Sequence, residues 1–431
     1  MAKQKKVLIV TYYWPPAGGP GVQRVLKFVK YLPDFGWEPI VLTVRNGEFP
    51  AIDETLIADI PPGCRVYPTS SFQVFNIFKW LKGSKRDAKI ETFIFSNKNP
   101  KFFDRLSFWI RQNIFVPDAR VGWVPFAFRK GLEIIQQEKP VLIFSSSPPH
   151  SLQLAAMKLA RETGLPWVAD LRDPWIDAFW DKDLKRTLLA QQRNVAMEKR
   201  VIREASAVVT VSKGCRDLLV KEPRPDVHVI PNGFDPDDFT VKKQKSGNFR
   251  IVYSGHISAD QNPENFFEAL AALKSLYGSV LDVRFYGGLE ASVAQTIQKL
   301  GIGDIVHLNP YVSHQESIVN ITQADVLLLL IPRINSKGIV TGKIYEYLAT
   351  NNLILGIGDE SGDAAAILAA CNAGMMVDYS RDLAPLLSSL IEDWKAGRER
   401  QVDRDAIAGY SRVRQAEQLA GIFDHQLQNY R

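Results

Sequence analysis

Three groups of residues in this chain have types and spacing that can do chemistry. The first is TYYWPPAGGPGVQRVLKFVKYL, where Gly18, Gly19 and Gly21 precede apolar residues at Val22, Val25, Leu26, Val29 and Leu32. That spacing predicts a helix. Glycines let a backbone approach a phosphate or sugar closely, and a helix N-terminus offers unpaired N–H groups to an anion. Gly18 and Gly19 are therefore candidate ligand contacts, although the spacing is neither a GxGxxG fingerprint nor a P-loop, and a plain strand-to-helix turn is the competing reading. The second group is ADLRDPWIDAF, where Asp170, Arg172, Asp173 and Trp175 follow the strand-like PWVA. Charged residues just past the C-terminal end of a parallel strand point into the crevice where such folds bind ligands. An Asp–Arg pair that only fixes the loop is the alternative. The third is SSSPPHS at 145–151, with Ser147 and His150 beyond another strand, where a serine also suits a helix cap.

The elements that must position these residues are short aliphatic runs between helical stretches: Val7 to Val10, Ile40 to Val44, Val141 to Phe144, Ala207 to Val211, Ile251 to Tyr253, Val283 to Tyr286, Val326 to Ile331 and Leu353 to Ile357. Alternation of this kind implies βαβ units and parallel sheets covered on both faces, an α/β fold. The pattern starts afresh near residue 249, after PNGFDPDDFTVKKQKSGN, a stretch rich in Pro, Gly, Asp and Lys that reads as a hinge. Length favours two domains. We expect an N-terminal domain over 1–235, a C-terminal one over 246–408, and an amphipathic helix in 409–431 packing back on the first.

The composition, 46% apolar and 23% charged, is that of an ordinary globular protein. Cys64, Cys215 and Cys371 are far apart and odd in number, which argues against a disulfide framework or a zinc ribbon and for a reducing compartment. MAKQKK runs straight into VLIV without the longer apolar core of an export signal, and the longest aliphatic run, Val326 to Ile331, is far too short for a membrane span. A cytoplasmic location is expected. The net charge of +6 suits anionic partners. Residues 72–130 interleave aromatics such as Phe72, Trp80 and Trp109 with Lys79, Lys82, Lys85, Arg86, Arg105 and Arg111. That mixture fits an anionic membrane surface, placing the protein peripherally on the inner face; the same aromatics can instead fill a core. No nucleic-acid motif is present, and no nucleic-acid partner is expected.

Four segments, in order, resemble the retaining glycosyltransferases of family 4, which share the GT-B fold of two Rossmann-like domains facing across a cleft. They are the opening glycine loop, VVTVSKGCRDLL with VHVIPNGFDPDDF, RIVYSGHIS, and TGKIYEYLATNNLILGIG. The resemblance implies that Glu346 hydrogen-bonds the donor ribose, that Thr341, Gly342 and Lys343 meet its diphosphate, and that Gly18, Gly19 and Gly255 allow close approach. Two departures stand out. The first glutamate of the family's E-x7-E pattern falls on Gly338, and SGHISADQN lacks the family's arginine and lysine. Lys343, with Arg333 before it, then has to stabilise the leaving diphosphate. DLRDPW resembles an element of family-4 transferases of bacterial surface-polysaccharide assembly. There Asp173 is the first candidate to orient or deprotonate the acceptor, with His150 beside it and Asp170, Arg172 and Trp175 binding acceptor.

The expected activity is transfer of a hexose or N-acetylhexosamine from a nucleoside-diphosphate sugar to a glycan or lipid-linked acceptor, with retention, no cofactor and no metal; Asp235 to Asp237 read as a linker turn. Two rivals remain. One is a sugar-nucleotide 2-epimerase of the same fold. The other is a non-catalytic glycan-binding or scaffold subunit derived from a transferase.

Overall fold

The computed structural model of the chain describes residues 4–47, 49, 51–72, 102–177, 184, 186–221, 224, 226–333, 340–398 and 401–429. These fall into two compact units. The first takes its residues from 1–211, 215–231 and 415–431, the second from 212–214 and 232–414.

The first unit holds β1 (Lys5–Thr11), β2 (Trp37–Val44), β3 (Arg65–Thr69), β4 (Leu142–Ser147), β5 (Trp167–Leu171), β6 (Ala207–Thr210) and β7 (Val227–Val229). They form one parallel sheet in the order β3-β2-β1-β4-β5-β6-β7. Its helices are α1 (Pro20–Tyr31), α2 (Phe102–Asn113), α3 (Val124–Glu138), α4 (Ser151–Thr163), α5 (Leu188–Glu204) and α6 (Lys213–Leu219). Helices pack on both faces of such a sheet, so its central strands are apolar on both sides. Val7 to Val10 and Leu142 to Phe144 are wholly buried.

The second unit holds β8 (Phe249–Ser254), β9 (Leu281–Tyr286), β10 (Val306–Asn309), β11 (Val326–Leu330), β12 (Leu353–Ile357) and β13 (Gly374–Val377), parallel in the order β10-β9-β8-β11-β12-β13. Between them run α7 (Glu264–Tyr277), α8 (Ala291–Lys299), α9 (His314–Thr322), α10 (Lys343–Ala349), α11 (Asp363–Ala370), α12 (Ala384–Lys395) and α13 (Arg404–Ala408). The chain closes with α14 (Arg412–Asn429). In the first unit, Phe423 of α14 packs edge-on against Trp37 at 5.1 Å and Phe144 at 5.6 Å. Asp424 beside it pairs with Lys5 and accepts from Trp37 Nε1 at 3.2 Å.

Each sheet reverses its strand order once, between β1 and β4 in the first unit and between β8 and β11 in the second. At such a switch point the following loops run in opposite directions and leave a crevice beyond the strand ends, where doubly wound folds bind ligands. Tyr12 to Gly21 and Ser147 to His150 leave the first crevice; Gly255, His256, Ile331 and Arg333 leave the second. The segment after the first unit is no free tether. Asp235 accepts from Asp237 N at 3.1 Å, Gln323 holds Lys242 and Gln244 by backbone hydrogen bonds, and Lys243 pairs with Asp325 at 2.9 Å.

Candidate functional site

In the second unit the residues cluster around the end of β8. Gly255 has φ +136, a conformation that L side chains rarely adopt, and a Cβ there would collide with Cε and Nζ of Lys343. Lys343 opens α10, and its ammonium donates to Tyr253 Oη at 3.1 Å and lies 4.9 Å from that ring. The Tyr253 hydroxyl in turn donates to the His256 carbonyl at 2.9 Å. Burial lowers the Lys343 pKa, and Glu346, one turn along the helix, opposes that shift. Lys343 and Glu346 stand three apart, hence on one helix face. Glu346 Oε1 meets His314 Nε2 of α9 at 3.2 Å. Thr341 Oγ1 is buried with no hydrogen-bond partner among the described residues, an arrangement that native structures rarely leave without a ligand or water.

Two sequence expectations meet this geometry. The seven residues of α10 make about two turns, too few for its N-terminus to carry much of an aligned dipole, so positive charge comes from the Lys343 side chain. Arg333 donates to the Asn262 carbonyl at 2.9 Å, stacks on Tyr379 at 4.4 Å, and lines a cavity of about 1040 Å³ with Glu264, Asp359 and Asp378. Lys343, Glu346 and Gly255 are not among the residues lining that cavity. Gly338, where the family's first glutamate is missing, lies outside the described residues.

In the first unit, Gly18 N donates to the Ala51 carbonyl at 2.9 Å, and Gly19 takes φ +103 to start α1, again a conformation suited to glycine. Asp170 is wholly buried. It receives Arg24 Nε at 3.1 Å and Nη2 at 2.9 Å, and Ser146 Oγ at 2.6 Å. Arg24 also donates to the Ile230 and Pro231 carbonyls. This network joins α1, β5 and the exit from β7, so Asp170 faces the protein. Trp175 is 3% exposed and gives its indole N–H to Asn194 at 2.9 Å; its ring stacks on His150 at 4.8 Å. Its contribution to the crevice runs through that imidazole. Burial, aided by Arg172, pushes the His150 pKa down to about 3, so the ring is neutral at pH 7, with Nδ1 3.3 Å from Ser147 Oγ. The cap of α4 comes not from a local serine but from Asp118, which accepts from Ser151 N and Oγ, both at 2.8 Å.

Arg172 donates to the Ser147 carbonyl at 2.9 Å and the Pro148 carbonyl at 3.1 Å. Asp173 is partly buried, which raises its pKa, while Arg172 lowers it. Of the aromatic and basic segment 72–130, residues 73–101 lie outside the described residues. Among those described, Phe72, Trp109 and Ile114 are about half exposed, whereas Trp123 is wholly buried. Tyr253 and His314 in the second unit, and Arg24 and Asp118 in the first, have no role in the motif reading. They sit in ordinary helix, strand-end or loop sequence and gain a role only through what they touch.

With this geometry in place, the chain can be set beside known proteins. Residues 85–238 match the family model described as Glycosyltransferase Family 4. No curated protein matches the sequence. Among solved structures, a glycosyltransferase from Rickettsia africae ESF-5 is similar over 99% of both chains, at TM-score 0.65 and 15% identity. Anabaena Alr3699/HepE in complex with UDP is similar over 97% of this chain and 100% of that one, at TM-score 0.62 and 15% identity. A Listeria monocytogenes protein assigned as a UDP-N-acetylglucosamine 2-epimerase matches over 99% and 97%, at TM-score 0.56 and 12% identity. The fold is that of the GT-B glycosyltransferases, two parallel-sheet Rossmann-like units. Among the described residues, no helix is long and apolar enough to cross a membrane.

Proposed function

We propose that the protein transfers a hexose or N-acetylhexosamine from a UDP-sugar to a glycan or lipid-linked acceptor in surface-polysaccharide assembly, with retention of configuration. The observation that carries this reading is the group at the end of β8. A half-buried lysine is seated on a tyrosine hydroxyl against the positive-φ Gly255, with Glu346 on the same helix face and, beside it in the chain, a Thr341 hydroxyl without a partner among the described residues. Departure of UDP develops charge on the diphosphate. An ammonium already desolvated and positioned stabilises that charge without reorganising at the moment of reaction. Lys343 does this in place of a metal, Thr341 donates to a phosphate oxygen, and Glu346, oriented by His314, accepts from the ribose hydroxyls. In the first unit, Asp173 and the neutral His150 handle the acceptor hydroxyl, while Asp170 and Trp175 hold those groups in place. The half-exposed Phe72 and Trp109 support peripheral contact with an anionic membrane on the cytoplasmic side.

The test is a panel of UDP-, GDP-, ADP- and TDP-sugars assayed by thermal shift and by release of nucleoside diphosphate, with wild type and Lys343→Ala. Stabilisation by UDP-sugars, slow EDTA-insensitive release of UDP, and loss of both in the variant are expected. Conversion of the donor to an isomerised free sugar would favour the epimerase. Absence of any nucleotide-sugar binding at millimolar concentration would favour a non-catalytic subunit.

A further inference from the structure

The loop that joins β10 to α9 carries a side chain with no role in the transfer described so far. Tyr311 is 85% exposed, the most exposed of the large apolar side chains among the described residues. Its ring meets no other ring, and its hydroxyl has no hydrogen-bond partner among those residues. The backbone that presents it is nevertheless pinned on both sides. Asn309, the last residue of β10, accepts from Gly287 N at 3.1 Å and donates from Nδ2 to the Phe285 carbonyl at 3.2 Å. Ser313 caps α9 reciprocally, its hydroxyl accepting from Glu316 N at 3.3 Å and its own N–H donating to Glu316 Oε2 at 3.0 Å. Between them Val312 packs into the core that holds Ile344, Tyr347 and Leu348 of α10. Tyr311 is thus held out into water from a fixed loop, where its ring contributes no burial to folding. Its place along the sheet gives the ring a use. The strands run in the order β10-β9-β8, and Lys343 lies against Gly255 at the end of β8. Neighbouring strands stand about 4.8 Å apart, so the end of β10 is about 10 Å from the end of β8. An extended nucleoside diphosphate covers that distance between its base and its terminal phosphate. Between the two ends β9 runs out into Gly287, packed backbone to backbone against Gly255, and neither has a side chain to block the crossing. Glu346, assigned to the ribose, meets His314 Nε2 at 3.2 Å. His314 follows Tyr311 by three residues, which keeps the two within about 11 Å along the backbone. A base is bonded directly to its ribose and so falls within reach of the tyrosine.

We propose that the Tyr311 ring is the platform on which the base of the donor nucleotide stacks. This rests on the transfer reading and deepens it by assigning the base end of the donor. Stacking covers apolar area on both rings and needs no buried hydrogen-bond partner, which suits an exposed aromatic on a fixed loop. Lys343 then meets the diphosphate at one end of the nucleotide, Glu346 the ribose, and Tyr311 the base at the other. Every base has a π-face, so the ring supplies affinity and the choice among bases falls to other groups.

Full-length wild type, Tyr311→Ser, Tyr311→Phe and Lys343→Ala are titrated calorimetrically with UDP and with UMP. Tyr311→Ser should weaken both nucleotides by the same factor, about tenfold, within the range for loss of one base–aromatic stack. Tyr311→Phe keeps the ring and should bind both within about twofold of wild type. Lys343→Ala should weaken UDP more than UMP, because the two differ by one phosphate and share the base. A side chain so exposed supports no packing, so each Tyr311 variant should melt within about 2 °C of wild type. Full UDP affinity in Tyr311→Ser, a loss confined to UDP, or an equal loss in Tyr311→Phe would overturn the proposal and leave the transfer reading in place. Wild type that binds no UDP removes the transfer reading and this platform with it.

Discussion

Asp170→Asn separates a residue that faces ligand from one that holds the crevice together. The aspartate and Arg24 are both completely buried and joined by two hydrogen bonds, and the guanidinium spans α1, β5 and the two carbonyls after β7. Asparagine keeps the shape but leaves the Arg24 charge without its counter-charge in a water-free place. Breaking a buried pair from one side costs about 3–5 kcal/mol. For a unit of this size, where each kcal/mol moves the midpoint by about 2–4 °C, the melting temperature should fall by roughly 6–20 °C. Scanning calorimetry reads this directly. Replacing both partners, Arg24→Met with Asp170→Leu, should recover at least half of the loss, because the penalty is for the stranded charge and not for a missing attraction. UDP binding should survive in every variant that folds. A melting temperature within 2 °C of wild type, together with abolished turnover, would refute the argument and make Asp170 a ligand-facing group.

Further outcomes follow from the same geometry. Thr341→Val should leave the melting temperature unchanged, since its hydroxyl has no partner among the described residues, yet weaken UDP by about tenfold, the worth of one hydrogen bond to a charged group; unchanged affinity by calorimetry would remove Thr341 from the donor site. Gly255→Ala should cost about 1–3 kcal/mol in chemical denaturation through its positive φ, and should also lower UDP affinity by displacing Lys343. Burial pushes the Glu198 pKa up to about 7, above its unfolded value near 4.5. The folded state therefore holds that proton more tightly, and this contribution is full below pH 4.5 and lost as pH rises through 7. Glu198→Gln should then gain stability relative to wild type between pH 5 and pH 8, by at most about 3 kcal/mol; a pH-independent difference in melting temperature would count against it. Trp109→Ser should reduce co-sedimentation with anionic vesicles severalfold while leaving neutral vesicles unaffected, and equal retention would remove Trp109 from any membrane contact.

How much of this was legible in the sequence depends on how locally each feature is encoded. The central strands announce themselves because a strand covered by helices on both faces has to be aliphatic throughout: VLIV in β1 and VLLLL in β11 could hardly be anything else. The strands that sequence reading passed over, β3, β7, β10 and β13, are the four sheet edges. RVYPT, VHV, VHLN and GMMV are mostly half-buried or exposed, so no run of buried aliphatic residues marks them. The positions of Lys343, Glu346 and Gly255 were likewise readable, because each lies in a short segment whose order along the chain is distinctive. Tertiary structure alone decided what those residues touch. In the DLRDPW segment, adjacent in sequence, Asp170 turns inward to a helix 146 residues away, Arg172 reaches back to the glycine loop, and Asp173 stays beside it. Asp170 is the last residue but one of β5 and Arg172 lies just past its end, so strand alternation does not fix where Arg172 points, and which side holds a counter-charge depends on elements far away in the chain. Sequence thus determined which groups are charged and which strand ends present them. Packing determined what each of those charges touches within the protein.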